Sequence, residues 1–165
     1  MVVIVFGLPG SGKSYFASRL AEALNADYIN SDKLQKKMFP ERNYSTEEKN
    51  SVYAEMLALM KKAVSKGKNV VLDATFHLQE RSKPFIQEMK DKGGIRFIEV
   101  VADEKVVRER LQQPRRFSEA DFNVYKILKS QQESMKAPHL VIHSTNDSID
   151  KKLQNAIEYL NKNDD

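Results

Sequence analysis

The sequence predicts an α/β fold, a parallel β-sheet covered by helices on both faces, and three observations carry that prediction. Strand-like apolar runs alternate with segments of helical period along the chain. The first run, Val2-Val3-Ile4-Val5-Phe6, leads directly into Gly7-Leu8-Pro9-Gly10-Ser11-Gly12-Lys13-Ser14, which fits the phosphate-binding pattern G-x-x-x-x-G-K-S/T between a strand and a helix. At 165 residues and 41% hydrophobic content the chain can bury about two-thirds of its unfolded surface, with no room for a second full domain. Residues 1–165 are therefore expected to form one domain.

Val2 to Phe6 is apolar throughout and mostly β-branched, the composition of a strand buried on both faces. Behind the loop, Phe16, Ala17, Leu20, Ala21 and Leu24 recur at helical spacing. The loop glycines permit positive φ, so successive N–H groups can converge on phosphate oxygens with the positive end of the helix dipole behind them. Lys13 is then expected to reach the β- and γ-phosphates, and Ser14 to offer its hydroxyl to Mg²⁺.

Asp27 to Asn30 reads as a short strand, and Ser31 to Met38 as a short helix ended by Pro40. Ser45-Thr46-Glu47-Glu48 has capping-box spacing, and Tyr53, Met56, Leu57, Met60 and Val64 form one apolar helical face up to Gly67. Val70 to Asp73 is a third strand, Glu80 to Lys90 a helix stopped by Gly93-Gly94, and Ile95 to Val101 a fourth strand. Asp103 to Leu111 is helical until Pro114, and Ser118-Glu119-Ala120-Asp121 opens another helix. His139 to His143 is the last strand and Ser148 to Leu160 the closing helix.

Two carboxylates follow strands that a doubly wound sheet would end at its carboxyl edge. Asp73 closes an apolar strand in the manner of a Walker B residue, the expected metal partner of Ser14, although a strand-end Asp can also be an ordinary turn residue. Thr75, two residues on, is a candidate for binding substrate or for a turn hydroxyl, and His77 is a further candidate for substrate contact. Asp32 follows the second strand, across the crevice from the phosphates, where an acceptor hydroxyl must be oriented and its proton accepted. The alternative is a first-turn acid in a helix capped by Ser31, stabilised by the dipole; the residues around it favour the base. Arg108, Arg110, Arg115 and Arg116 cluster around Gln112-Gln113-Pro114, a composition suited to a lid over approximately 108–118 that brings guanidinium groups to a γ-phosphate.

The order of P-loop, Asn30-Ser31-Asp32, Val71-Leu72-Asp73-Ala74-Thr75, Arg81, Arg110, Arg115-Arg116 and Ser118-Glu119-Ala120-Asp121 resembles the P-loop kinases that include polynucleotide kinase domains, zeta-toxin sugar-nucleotide kinases and chloramphenicol phosphotransferases. The resemblance covers nearly the whole chain. It implies a three-layer P-loop NTPase fold with a nucleoside-monophosphate-kinase-like sheet of five parallel strands, and ATP with Mg²⁺ as phosphoryl donor to a hydroxyl acceptor. In its terms Gly7, Pro9, Gly10, Ser11, Gly12, Lys13, Ser14, Tyr15 and Arg110 hold the nucleotide, and Ser14 and Asp73 the metal. Asp32, Thr75 and Arg81 face the acceptor; Asp32, Lys13 and one of Arg115 and Arg116 are catalytic. One departure matters. Polynucleotide kinases carry an arginine three residues after the catalytic Asp to grip the acceptor's phosphate, and Gln35 stands there, with Lys36 and Lys37 as candidate substitutes. The 5′ end of a nucleic acid is thus one candidate acceptor among several.

Other classes fit less well. Asn161-Lys162-Asn163-Asp164 spells a guanine-reading motif but follows a terminal helix, and no glycine occupies the fourth position of Asp73-Ala74-Thr75-Phe76 as a GTPase switch requires. Ala74 stands where an oligomeric ATPase motor would place a water-activating Glu. A catalytically silent nucleotide-binding module is the remaining alternative, and the intact set Lys13, Ser14, Asp32 and Asp73 argues against it. Lys and Arg number 27 against 23 Asp and Glu, a net charge of +4 that suits an anionic substrate and permits nucleic acid without implying it. With no cysteine and no apolar run of membrane-spanning length, cytoplasmic residence is the expectation.

Overall fold

The structure, a computed structural model, describes residues 1–76, 79–113 and 121–162. The described elements are β1 (Val2–Phe6), α1 (Lys13–Ala23), β2 (Asp27–Asn30), α2 (Ser31–Met38), α3 (Thr46–Ser65), β3 (Val70–Ala74), α4 (Gln79–Met89), β4 (Ile95–Val101), α5 (Glu104–Leu111), α6 (Phe122–Gln131), β5 (Leu140–His143) and α7 (Asp150–Lys162). All five strands are parallel, in the order β2-β3-β1-β4-β5. β1 therefore runs through the middle of the sheet, and the loop that leaves it opens at the centre of the carboxyl edge.

Alternation along the strands divides the core into two layers. Val3, Val5, Val71, Ile98, Val100 and Ile142 pack with Phe16 and Leu20 of α1 and Ala156 and Leu160 of α7. Val2, Ile4, Phe6, Ile29, Leu72 and Phe97 turn the other way, against Val52, Met56 and Met60 of α3 and Phe85 and Met89 of α4. The methionines of α3 are thus core. Its fully buried stripe is Val52, Met56, Met60 and Ala63, while Tyr53, Leu57 and Val64 pack only partly against that layer. Val107, Leu111 and Tyr125 form a third, small cluster with Leu8 beneath the phosphate loop.

Several element ends differ from the sequence reading, each for a local reason. α2 is capped by Asn30, whose side-chain oxygen accepts from the Lys33 N–H at 2.9 Å, and Ser31 is already helical. Ser45 does cap α3, accepting from the Glu48 N–H at 3.1 Å. The Glu48 carboxylate does not return to the Ser45 N–H, which donates instead to Asn43 Oδ1 at 2.9 Å. Asp103 precedes α5 as its cap residue, and α7 runs Asp150–Lys162, two residues later at each end than expected. Asp121 caps α6 by accepting from the Val124 N–H at 2.9 Å, while residues 118–120 of the expected capping box lie outside the described residues. His139 precedes β5 and joins Ala137 O at 2.9 Å to Glu99 Oε2 at 3.2 Å, a structural place. Asn161 and Lys162 end a helix, away from any strand end.

Candidate active site

β1 delivers the chain to the carboxyl edge, and glycines shape the loop that leaves it. Gly10 and Gly12 have φ of 78° and 91°, values that side chains rarely adopt. Gly12 heads α1 with no side chain capping it, which leaves first-turn N–H groups for an anion. A Cβ on Gly12 would lie 2.5 Å from Ser144 Oγ, and one on Gly7 would run into the Val100 carbonyl. Gly7 thus serves close packing. Ser11 turns its N–H inward to Leu8 O at 3.1 Å, and its buried hydroxyl has no hydrogen-bond partner.

Two cavities beside this loop share Lys13. The larger, about 560 Å³, is walled by Gly10, Gly12, Lys13, Ser14 and Tyr15 together with Arg110. The smaller, about 240 Å³, is walled by Pro9, Lys13, Asp32, Thr75 and Arg81. Lys13, a buried lysine, belongs to both. The sequence-assigned nucleotide residues therefore collect in the first cavity, except Gly7, Pro9 and Ser11, and all three acceptor candidates collect in the second. Lys36 and Lys37 line neither.

Beside the loop, Asp73 is fully buried at the end of β3. Pairing places Asn30 opposite Asp73, and Asp73 opposite Val5, so β2 and β1 bracket the carboxylate. Its Oδ2 accepts from the Tyr28 hydroxyl at 2.5 Å and from Asn30 Nδ2 at 2.7 Å; Asn30 Nδ2 also reaches Ser14 Oγ at 3.4 Å. Oδ1 is buried with no hydrogen-bond partner. Desolvation, followed by the charge and hydrogen bond of Asp73, raises the Tyr28 phenol far above its ordinary range, so it stays a donor. One carboxylate oxygen is pinned by two donors and the other is buried without a partner.

In the smaller cavity, Asp32 lies in the first turn of α2. The opposite wall is α3 and α4: Arg81 Nη1 donates to Asn50 Oδ1 at 2.8 Å, and its guanidinium lies 5.0 Å from the centre of the Tyr53 ring. The Tyr53 hydroxyl accepts from the Phe76 N–H at 3.3 Å; burial pushes its pKa up to about 12, partly offset by that bond and by Arg81. Phe76 itself holds a φ of 45°, a costly conformation for a non-glycine residue, one position beyond Thr75.

The arginines divide. Arg110 is fixed by hydrogen bonds from Nη1 to Gly10 O at 3.2 Å and from Nη2 to Thr145 O at 3.3 Å and Asn146 Oδ1 at 3.2 Å, as a wall of the large cavity. Arg108 stacks over Phe122 at 4.5 Å and so faces α6. Arg115 and Arg116, with residues 114–118 of the expected lid, and His77 lie outside the described residues.

Sequence reasoning missed Tyr28, and also the cations Arg42 and Lys49 of the smaller cavity. Tyr28 was within reach of the strand period: it shares a face with Asn30 two residues on, and that face meets α1. Arg42 and Lys49 carry no such signal, since they meet Asp32 only through the fold of α2 against α3.

Residues 2–154 match the AAA domain family. None of the curated proteins matches the sequence. Among solved structures the chain is similar to a sugar kinase from Janibacter sp. HTCC2649 at TM-score 0.74 and 14% identity, with 97% of this chain and 94% of that one covered. It is also similar to a gluconokinase from Sinorhizobium meliloti 1021 at TM-score 0.71 and 17% identity, covering 98% and 91%. The Mycobacterium tuberculosis APS kinase CysC in complex with AMPPNP and APS matches at TM-score 0.71 and 19% identity, covering 97% and 96%. These likenesses establish the P-loop NTPase fold in the form these kinases share. With its phosphate loop at the centre of a five-stranded parallel sheet and residues 2–154 matched, the chain belongs to the AAA domain family.

Proposed function

We propose that the protein is an ATP- and Mg²⁺-dependent kinase that transfers the γ-phosphate to a hydroxyl group. The observation that carries this reading is the position of Lys13 in the walls of both cavities, where one ammonium group serves donor and acceptor space. Triphosphate lies along Gly10 to Ser14, with the nucleoside in the larger cavity beside Arg110. Ser14 Oγ and Asp73 Oδ1 would hold Mg²⁺; the buried, unpartnered Oδ1 is a fitting ligand. Among the described residues no cluster of three metal-ligating side chains exists, which suits an ion that takes one or two protein oxygens and completes its shell with phosphate and water. When bound, Mg²⁺ neutralises charge on the phosphate oxygens.

Asp32 accepts the proton of the acceptor hydroxyl as that oxygen forms its bond to the γ-phosphorus and the bond to the bridging β-γ oxygen breaks. Thr75 and Arg81 position the acceptor from the far wall. The arginine for the transition state is assigned to Arg115 or Arg116 by the sequence resemblance. Kinases among the structural neighbours support the reaction class. The test is transfer of labelled γ-phosphate to a panel of 5′-hydroxyl oligonucleotides, nucleosides, sugar nucleotides and amino alcohols. We expect transfer to one class, absent in Lys13→Ala; a wild-type protein that binds ATP and phosphorylates none of them refutes the reading.

A further inference from the structure

We propose that the smaller cavity takes an acceptor that carries a phosphate group in addition to its hydroxyl, bound by Lys49 and Arg81. The role of the hydroxyl rests on the kinase reading above; the anion site does not.

Among the described residues, four cationic side chains, Lys13, Arg42, Lys49 and Arg81, line this cavity with one carboxylate, that of Asp32. Lys13 belongs to the donor. Glu48, only 2% exposed, lies behind Arg42, with its Oε1 3.5 Å from Arg42 Nε. The same carboxylate accepts from Gln35 Nε2 at 2.6 Å and from the Asn43 N–H at 2.8 Å, so Arg42 is held in the wall by its ion pair and the charge offered to a ligand falls to Lys49 and Arg81. Gln35, at the position where polynucleotide kinases carry a phosphate-gripping arginine, is thereby committed to structure, and the cations come from α3 and α4 and the loop between α2 and α3.

Arg81 is held by neutral partners, the Asn50 amide and the Tyr53 ring, which leave its full charge and most of its five N–H donors for a ligand. Lys49 has no carboxylate within ion-pair distance among the described residues. Its ammonium is held below the usual lysine range by loss of solvent and then by the Arg81 and Arg42 charges. Like charges gathered in a concave wall focus a positive potential, which an anion of suitable shape relieves. Phosphate fits this set better than a carboxylate, since it offers three acceptor oxygens to a guanidinium fork, an ammonium group and the rim hydroxyl of Ser45. Tyr44, 66% exposed, and Val124 supply an apolar rim for the rest of the ligand.

The experiment pairs acceptors that differ only in phosphate: a 2′-deoxynucleoside 3′-monophosphate with its nucleoside, and a hexose phosphate with its hexose. We expect kcat/KM to favour the phosphorylated member of one pair by about 100-fold, and Lys49→Ala to reduce that preference about tenfold through KM, as loss of one charge-assisted contact would. Lys49→Arg should restore part of it, and Lys62→Ala, on the solvent face of α3, should change nothing. The pair that responds identifies the phosphate source. Equal use of both members in both pairs, or a preference that Lys49→Ala leaves undiminished, overturns the proposal. Calorimetric titration with the same four compounds without ATP separates the two readings. Phosphate-dependent binding lost in Lys49→Ala, with no transfer to any acceptor, would leave the anion site and remove the kinase. Transfer to neutral alcohols with no phosphate-dependent binding would leave the kinase and remove the anion site.

Discussion

Asp73 illustrates how little freedom the site leaves to a single side chain. Tyr28 and Asn30 both donate to Oδ2, which fixes the carboxylate plane and leaves Oδ1 without a partner, the atom proposed above to hold Mg²⁺. Tyr28→Phe should therefore leave the fold intact and raise the Mg²⁺ concentration needed for half-maximal turnover about tenfold, as metal titrations would read. Asp32 faces the other cavity, so Asp32→Asn should lower phosphoryl transfer by about 10²–10⁴-fold, with nucleotide affinity measured by calorimetry nearly unchanged. An equal loss of nucleotide affinity would assign Asp32 to the donor side. Arg110 predicts the opposite pattern, because its three hydrogen bonds hold it in the wall of the larger cavity, the one proposed for the nucleotide. Arg110→Ala should raise KM for ATP more than it lowers kcat, and the reverse split would return it to the transition state.

At the scale of elements, α2 is aimed by its contact with α3. Gln35 on α2 and the residues leading into α3 converge on one buried carboxylate, Glu48, so the helix that carries Asp32 is fastened through a charge. Burial alone would raise the Glu48 pKa; the Asn43 N–H, the Gln35 amide and Arg42 outweigh it and hold the group below the usual carboxylate range. A depressed folded-state pKa stabilises the protein above the unfolded value, and that stability is lost as pH falls through the folded value. Urea unfolding followed from about pH 7 to below about pH 5 should show this loss. Glu48→Gln should be less stable at neutral pH and lose less on acidification; an unchanged pH profile would mean that other carboxylates dominate. Placing Asp32 through Glu48 also predicts that this variant loses kcat before it loses nucleotide affinity.

The whole molecule couples these parts through the central strand, so nucleotide binding should stabilise all of it. A non-hydrolysable ATP analogue with Mg²⁺ at about 100 times its Kd should add about 2.7 kcal/mol, a Tm rise of about 5–10 °C, and Lys13→Ala should abolish the rise. The five strands, the helix faces and the loop were legible in the sequence because each depends on local spacing: apolar runs for buried strands, helical periods for α1 and α3, and glycines where Gly10 and Gly12 need positive φ. Asp73 and Asp32 were legible for the same reason, as acids following strands in a parallel sheet. Cap positions were less so, since Asn30 and Ser31 are both competent and only the chain path selects Asn30. What tertiary structure alone decided is which residues share a wall. Strand order β2-β3-β1-β4-β5 brings Tyr28 and Asn30 to Asp73 across some 45 residues of chain, and the packing of α2 on α3 ties Gln35 to Glu48 and lines the smaller cavity with Arg42, Lys49 and Arg81. Local sequence fixes the period and the turns, because those energies act within a few residues; the charge of a cavity is set by side chains far apart in the chain, and only the closed sheet and its packed helices make them neighbours.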